Sequence, residues 1–143
     1  MLQKIVPVNP VILFLLACPL ALSGDLQRQD QLVWDFAEFS EAFSTRNWPG
    51  VARFVRPESK MGFGGEMGMD GLMQVFGEDD TCHEAMVRAL QLGCKKTGEG
   101  SNMRCVAPPQ LGPDVVYLGA RASFKFDADA EIWMAEFLIC GGD

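Results

Sequence analysis

Residues 116–139 read Val116-Tyr-Leu-Gly-Ala-Arg-Ala-Ser-Phe-Lys-Phe-Asp-Ala-Asp-Ala-Glu-Ile-Trp-Met-Ala-Glu-Phe-Leu-Ile139, and this stretch decides the class of fold. Val116, Leu118, Ala120, Ala122, Phe124 and Phe126 alternate with Tyr117, Gly119, Arg121, Ser123 and Lys125, so a strand here has one apolar face and one mostly polar face. After Asp127-Ala-Asp-Ala the alternation resumes with Trp133, Ala135, Phe137 and Ile139. Folding the halves about that loop pairs Phe124 with Trp133, Ala122 with Ala135 and Ala120 with Phe137, and sets Arg121 opposite Glu136. Asp127, Asp129 and Glu131 resemble the start of a calcium loop, but the glycine and glutamate such a loop needs at its sixth and twelfth positions are here Ile132 and Leu138. They are expected at the solvated tip of the hairpin.

Upstream, Pro108, Pro109 and Pro113 close off a short strand around residues 103–107. Between Cys94 and Cys105 the centre Gly98-Glu99-Gly100-Ser101 is turn chemistry, so a second hairpin sets the two cysteines opposite each other. Before it lies a well-specified helix, Asp79-Asp-Thr-Cys-His-Glu-Ala-Met-Val-Arg-Ala-Leu-Gln-Leu-Gly93. Thr81 and Glu84 read as a capping box, Asp79 and Asp80 sit at the positive end of the dipole, and Gly93 suits a left-handed residue just past the C-terminus. Cys82, Ala85, Met86, Ala89 and Leu90 form its apolar stripe. His83, Glu84, Arg88 and Gln91 fall outside the stripe, with Glu84 and Arg88 at pairing distance.

From Leu26 to about Arg46, Leu32, Phe36, Phe39 and Phe43 recur at helical spacing with Val33 beside them, while Asp35, Glu38 and Glu41 stay mostly off that line. Asn47 then reads as the N-cap of a short second helix, with Pro49 in its first turn, Val51, Ala52, Phe54 and Val55 as its apolar residues and Pro57 stopping it. Residues 61–71, Met-Gly-Phe-Gly-Gly-Glu-Met-Gly-Met-Asp-Gly, hold too many glycines for a stiff helix. They are expected to be extended at 61–66, then a loop, with a helical turn at 71–76. Neither phosphate-loop spacing occurs there, and Glu66 and Asp70 oppose an anion, so nucleotide binding is rejected. The methionines could in principle suit cuprous ion, but filling irregular gaps is their commoner use.

The chain's 143 residues, 48% hydrophobic and 10% aromatic, suit one domain with a real core. Lys4, the apolar run Val11 to Ala17, Pro19 and the small-x-small site Ala21-Leu22-Ser23 read as an export signal over residues 1–23, leaving a single domain over 24–143. The run is too short to span a bilayer. Leu15-Leu16-Ala17-Cys18 also resembles a lipobox, so a lipoprotein anchored through Cys18 is the competing form, and the only one that touches a membrane. Both forms place the domain in the periplasm or otherwise outside the cytoplasm. The formal net charge is −7, and removing residues 1–23 takes away Lys4 and no acid, which makes it −8. Nucleic acid is excluded as a partner by that charge.

Outside residues 1–23 stand Cys82, Cys94, Cys105 and Cys140, an even number in an exported domain, where disulfides form. No C-x-x-C pair and a single histidine argue against zinc, and no metal or cofactor is expected. Twelve residues of helix would hold Cys82 and Cys94 about 18 Å apart, against a limit of about 7 Å between bridged Cα atoms, which eliminates that pairing. The hairpin favours Cys94 with Cys105, and so Cys82 with Cys140. Cys82 with Cys105 and Cys94 with Cys140 stays open.

The order of elements is α+β, N-terminal helices packed on a curved antiparallel sheet that ends in the C-terminal hairpin. The aromatic first helix, the run Asn47-Trp48-Pro49-Gly50-Val51-Ala52-Arg53-Phe54-Val55 and a last strand opening on Trp133 resemble the NTF2-like superfamily, the cystatin-like α+β cones. That resemblance implies a cavity between helices and sheet, used for binding or for catalysis. Two functions follow. An exported binding or interaction module would take a small apolar ligand or a protein partner, with Trp34, Trp48 and Trp133 as candidate lining. A small enzyme would use His83 as acid or base with Asp80 and Glu84 to orient it. Polar groups converging in a cavity favour the enzyme, an apolar cavity favours a ligand carrier, and a filled core with exposed apolar side chains favours a partner.

Overall fold

The computed structural model describes residues 20–110 and 118–141. The charged and apolar parts of the expected export signal, Cys18, and the start of the expected strand at Val116 and Tyr117 lie outside the described residues. In chain order the elements are α1 (Leu20–Ser44), α2 (Trp48–Ala52), β1 (Val55–Lys60), α3 (Gly68–Leu72) running on into a π turn (Met73–Gly77), α4 (Asp80–Gln91), β2 (Lys95–Thr97), β3 (Arg104–Ala107), β4 (Arg121–Asp127) and β5 (Ile132–Ile139). The sheet order is β1-β5-β4-β3-β2. Strands β2 to β5 are antiparallel, and β1 joins the edge parallel to β5. The fold is α+β, with helices on one face of an open sheet.

α1 forms because its phenylalanines share one side. Phe39 and Phe43 are fully buried, and Phe36 and Phe39 meet Phe124 of β4 edge-on at ring distances of 5.4 and 4.9 Å. Val33 is turned to solvent, whereas Asp35 joins the buried side, since it lies on the arc between Leu32 and Phe39. Asn47 caps α2 through the Gly50 N–H (3.2 Å). That helix ends at Ala52, earlier than the stop expected at Pro57, because Val55 is drawn into pairing with Ala135. Pro57 sits in β1, where an edge strand tolerates a missing donor.

The extended segment expected at 61–66 is a loop instead. The Met61 N–H donates to the Glu66 carbonyl (2.9 Å), and the helical part begins at Gly68, three residues before the expected turn. A Cβ at Gly71 would stand 2.8 Å from the Glu66 carbonyl carbon, so α3 approaches this loop as only glycine allows. α4 is capped by Asp79, whose side chain accepts from the Cys82 N–H (3.1 Å), and not by Thr81. Gly93 has φ +84°, the left-handed C′ conformation expected of it.

The β4–β5 hairpin forms in a different register from the one the alternation suggested. Phe126, not Phe124, faces Trp133, and Phe124 faces Ala135, so the pairing is displaced by two residues at the turn. A shift of two keeps the faces, which is why Phe124 and Trp133 are both buried as expected. The register then jumps between Ser123 and Phe124, with Ser123 facing Phe137. Glu136 is the extra residue of this bulge, and beyond it the faces of β5 exchange. Leu138 enters the core and Phe137 turns outward, the reverse of a strict alternation. Glu136 is bound not by Arg121 but by Arg104 of β3, through two hydrogen bonds of 2.7 and 3.0 Å.

Both disulfides favoured by the helix and hairpin geometry are present. Cys82 joins Cys140, and Cys94 joins Cys105, with Cα separations of 5.1 and 5.4 Å. The first ties the start of α4 to the end of β5. The second closes the β2–β3 hairpin, in which Lys95 to Thr97 pair with Val106 to Arg104.

Candidate functional site

The space between helices and sheet is occupied by the protein's own side chains. Phe39 touches Phe43, Phe54 and Phe124; Phe43 touches Phe76; and Leu72, Met61, Met86 and Trp133 complete a buried cluster. Aromatic rings at edge-on spacing fill such a layer efficiently, and these are fully or almost fully buried. Two hollows among the described residues open elsewhere. One, of about 360 Å³, lies over Arg56, Lys125, Asp127 and Met134. The other, of about 330 Å³, lies between Gln27, Gln31 and Glu131.

His83 belongs to the core rather than to the exposed side of α4, with only 6% of its surface accessible. Its ring stacks on Phe43 at 5.2 Å and meets Trp48 edge-on at 6.1 Å. Nε2 is 2.8 Å from the Phe43 carbonyl oxygen, which has no proton to give, so Nε2–H is the donor. That carbonyl, in the last turn of α1, also accepts from the Arg46 N–H (3.1 Å), so the ring takes up its second lone pair. His83 therefore links α4 to the end of α1. Asp80 forms an ion pair with Arg46, whose other guanidinium nitrogen donates to the Gly77 carbonyl (3.1 Å). Glu84 is exposed and 3.7 Å from Arg88. The three residues thus face three different partners.

The tryptophans also separate. Trp133 is core, and its Nε1–H donates to the Arg28 carbonyl (2.9 Å). Trp48 covers Phe43 and His83. Trp34 is 73% exposed on the outer side of α1, next to Val33 at 68% and one further turn pair from Leu26 at 59%.

Three polar arrangements have little signal in the sequence. Asp35, 5% exposed, accepts from the Trp133 main-chain N–H and from Gln31 (2.8 Å each), fastening α1 to the start of β5. Its place on the helical arc was readable; its partner, 98 residues away, was not. Asp127, expected at a solvated tip, is buried: Oδ1 accepts from the Asp129 and Ala130 N–H groups while Arg56 pairs with Oδ2. Arg104 and Glu136 form the third, with Ser123 donating to the same carboxylate (3.1 Å). The Arg104 hydrogen bonds hold the Glu136 carboxyl below its usual range against the opposing effect of burial, and the pairing raises Arg104 in turn.

Among the described residues no three His, Cys, Asp or Glu side chains converge as a metal site would require. No protein-family model and no curated protein matches the chain. Among solved structures, it is similar to an NTF2-like protein with a cystatin-like fold from Novosphingobium aromaticivorans, at 14% identity over 84% of each chain and a TM-score of 0.49. The likeness is one of fold, and the α+β assignment rests on the helices and strands described above.

Proposed function

We propose that this chain is an exported protein-interaction domain, working in the periplasm and docking through the outer side of α1. The observation that carries this reading is the contrast between a helix–sheet layer filled with aromatic side chains and a helix that leaves Trp34, Val33 and Leu26 open to solvent. A small apolar ligand finds less support, since its natural place is taken by Phe39, Phe43 and Phe124. Export is supported by the signal-like residues 1–23 and by two disulfides, cross-links that persist in oxidising compartments. No described helix is long and apolar enough to cross a membrane. Membrane attachment in this reading comes only through a lipid on Cys18.

The enzymatic alternative keeps His83 as acid or base with Asp80 and Glu84. It has less support, because Nε2 is committed to the Phe43 carbonyl and neither carboxylate is a partner of the ring. A photo-crosslinking residue at position 34, with one at exposed position 88 on α4 as control, tests the docking reading in the native host. Protein adducts are expected at 34 and not at 88; equal yields at the two positions would overturn it. Intact-mass measurement tests the export reading. A chain beginning at Gly24 is expected, a lipidated Cys18 start would establish the anchored form, and an unprocessed Met1 would reject both.

A further inference from the structure

The register of the sheet places side chains on its outer face in rows. One row runs Lys95, Val106, Ser123, Phe137, Lys60, and the next runs Thr97, Arg104, Lys125, Met134. Residues in one row share a face, and both rows lie opposite Phe124, Ala122 and Cys105, which are buried on the helical side. The outer face therefore carries the half-buried Val106, Phe137 and Met134 around the Arg104–Glu136–Ser123 cluster, with Lys60, Lys95 and Lys125 about them. Arg104 is neutralised by Glu136, but Lys60, Lys95 and Lys125 are exposed and carry no ion pair among the described residues. In a chain of net charge −7 this concentration of cations is unexpected. The acids of this face, Glu136 and Asp127, are each paired with an arginine, whereas α1 carries Asp25, Asp30, Asp35, Glu38 and Glu41 against the single Arg28.

The outer side of α1 has the opposite character. Leu26, Asp30, Val33, Trp34, Ala37 and Glu41 recur at helical spacing and are all exposed, an apolar stripe edged with carboxylates. Asp30 and Glu41 have no ion pair among the described residues. An amphipathic helix and a half-apolar sheet face are each what ordinarily covers the other, and here their charges are complementary. Like-to-like pairing is disfavoured on both surfaces, lysine against lysine and aspartate against aspartate.

From this we infer that the occupant of the sheet's outer face is α1 of a second copy of this chain, a heterologous head-to-tail contact. The inference rests on the reading of α1 as the docking surface and names its partner. Because one copy uses α1 and the next uses its sheet, each copy keeps one of each surface free, so the contact propagates into a ring or a filament.

The test uses the protein purified from its host in the form the host retains, and two variants changed only at exposed positions. Lys95→Glu with Lys125→Glu disables the sheet face, and Val33→Glu with Trp34→Glu disables α1. Sedimentation velocity should show the native chain associating with concentration, at least about tenfold more weakly in about 0.5 M than in about 0.05 M NaCl, since salt screens exposed charge pairs. Each variant alone should be monomeric, and their equimolar mixture should stop at a dimer, because the one competent α1 and the one competent sheet face meet in it and both surfaces left free are disabled. Should the α1 variant fail to fold by circular dichroism, Asp30→Lys with Glu41→Lys replaces it and should associate less than the native chain. A native chain that stays monomeric at about 100 µM in low salt, or a mixture that stays monomeric while the native chain associates, overturns the inference. If the native chain is monomeric yet position 34 still crosslinks to a different protein, the self-association fails while the docking reading stands.

Discussion

Glu136 shows how one inserted residue does two things. As the extra residue of the bulge it turns Phe137 outward and Leu138 inward, and it offers a carboxylate to Arg104 and Ser123 across β4. Because its folded pKa is depressed, the native state binds fewer protons than the unfolded chain between the folded value and about 4.3. Its contribution to stability is thus complete above about pH 4.3 and is lost as pH falls through the folded value. Arg104→Met should return the Glu136 titration, followed by carboxyl NMR, toward the ordinary glutamate range and remove this part of the acid sensitivity. His83 supports a second prediction. His83→Ala removes one of the two donors to the Phe43 carbonyl, leaving only the Arg46 N–H, and should cost about 1–3 kcal/mol in urea unfolding, while His83→Gln, which retains an N–H donor, should lose less.

At the scale of elements, the disulfides act on different parts of the chain. Cys82–Cys140 spans 58 residues and joins a helix to the last strand, whereas Cys94–Cys105 spans 11 within one hairpin. Loop-closure entropy gives about 4 kcal/mol for the first and slightly under 3 kcal/mol for the second. Replacing Cys82 and Cys140 together by alanine should therefore lower the urea midpoint further than replacing Cys94 and Cys105. Equal losses would mean that the unfolded chain is already compact between residues 82 and 140. The edge strand β1 depends on a different contact, the Ser59 hydroxyl donating to the Ala135 carbonyl at 2.6 Å, which holds β1 to β5 where Pro57 offers no N–H.

For the whole molecule, the deciding fact is that among the described residues the helices pack directly on the sheet around Phe39. This ring is fully buried against Phe43, Phe54 and Phe124. Phe39→Ala should cost about 3–5 kcal/mol and open a dry cavity able to bind a benzene-sized molecule. Calorimetry of the variant with and without benzene measures both effects, and an unaltered melting temperature would show that the layer is less tightly filled than described. A filled interior also directs recognition to the surface, where the apolar side of α1 and the cationic side of the sheet stand apart.

Local patterns specify what neighbours along the chain decide. The aromatic period of α1, the Asn47 cap, the left-handed Gly93 and the alternation through Phe124 and Trp133 each depend on a few adjacent residues, so α+β and the two disulfides were legible before any coordinates. The helix length kept Cys82 from Cys94, and the glycine turn favoured Cys94 with Cys105. Partners distant in sequence were not legible. Nothing near Asp35 indicates the Trp133 N–H, nothing near Arg56 indicates Asp127, and an unbroken alternation conceals the bulge at Glu136. His83 lies off the apolar stripe of its own helix, yet it is buried because α1 ends beside it, with the Phe43 ring to stack on and a carbonyl that accepts Nε2–H. Periodicity records which face of an element is apolar; which polar groups that face must also accommodate is decided only when a second element, with unpaired donors and acceptors of its own, packs against it.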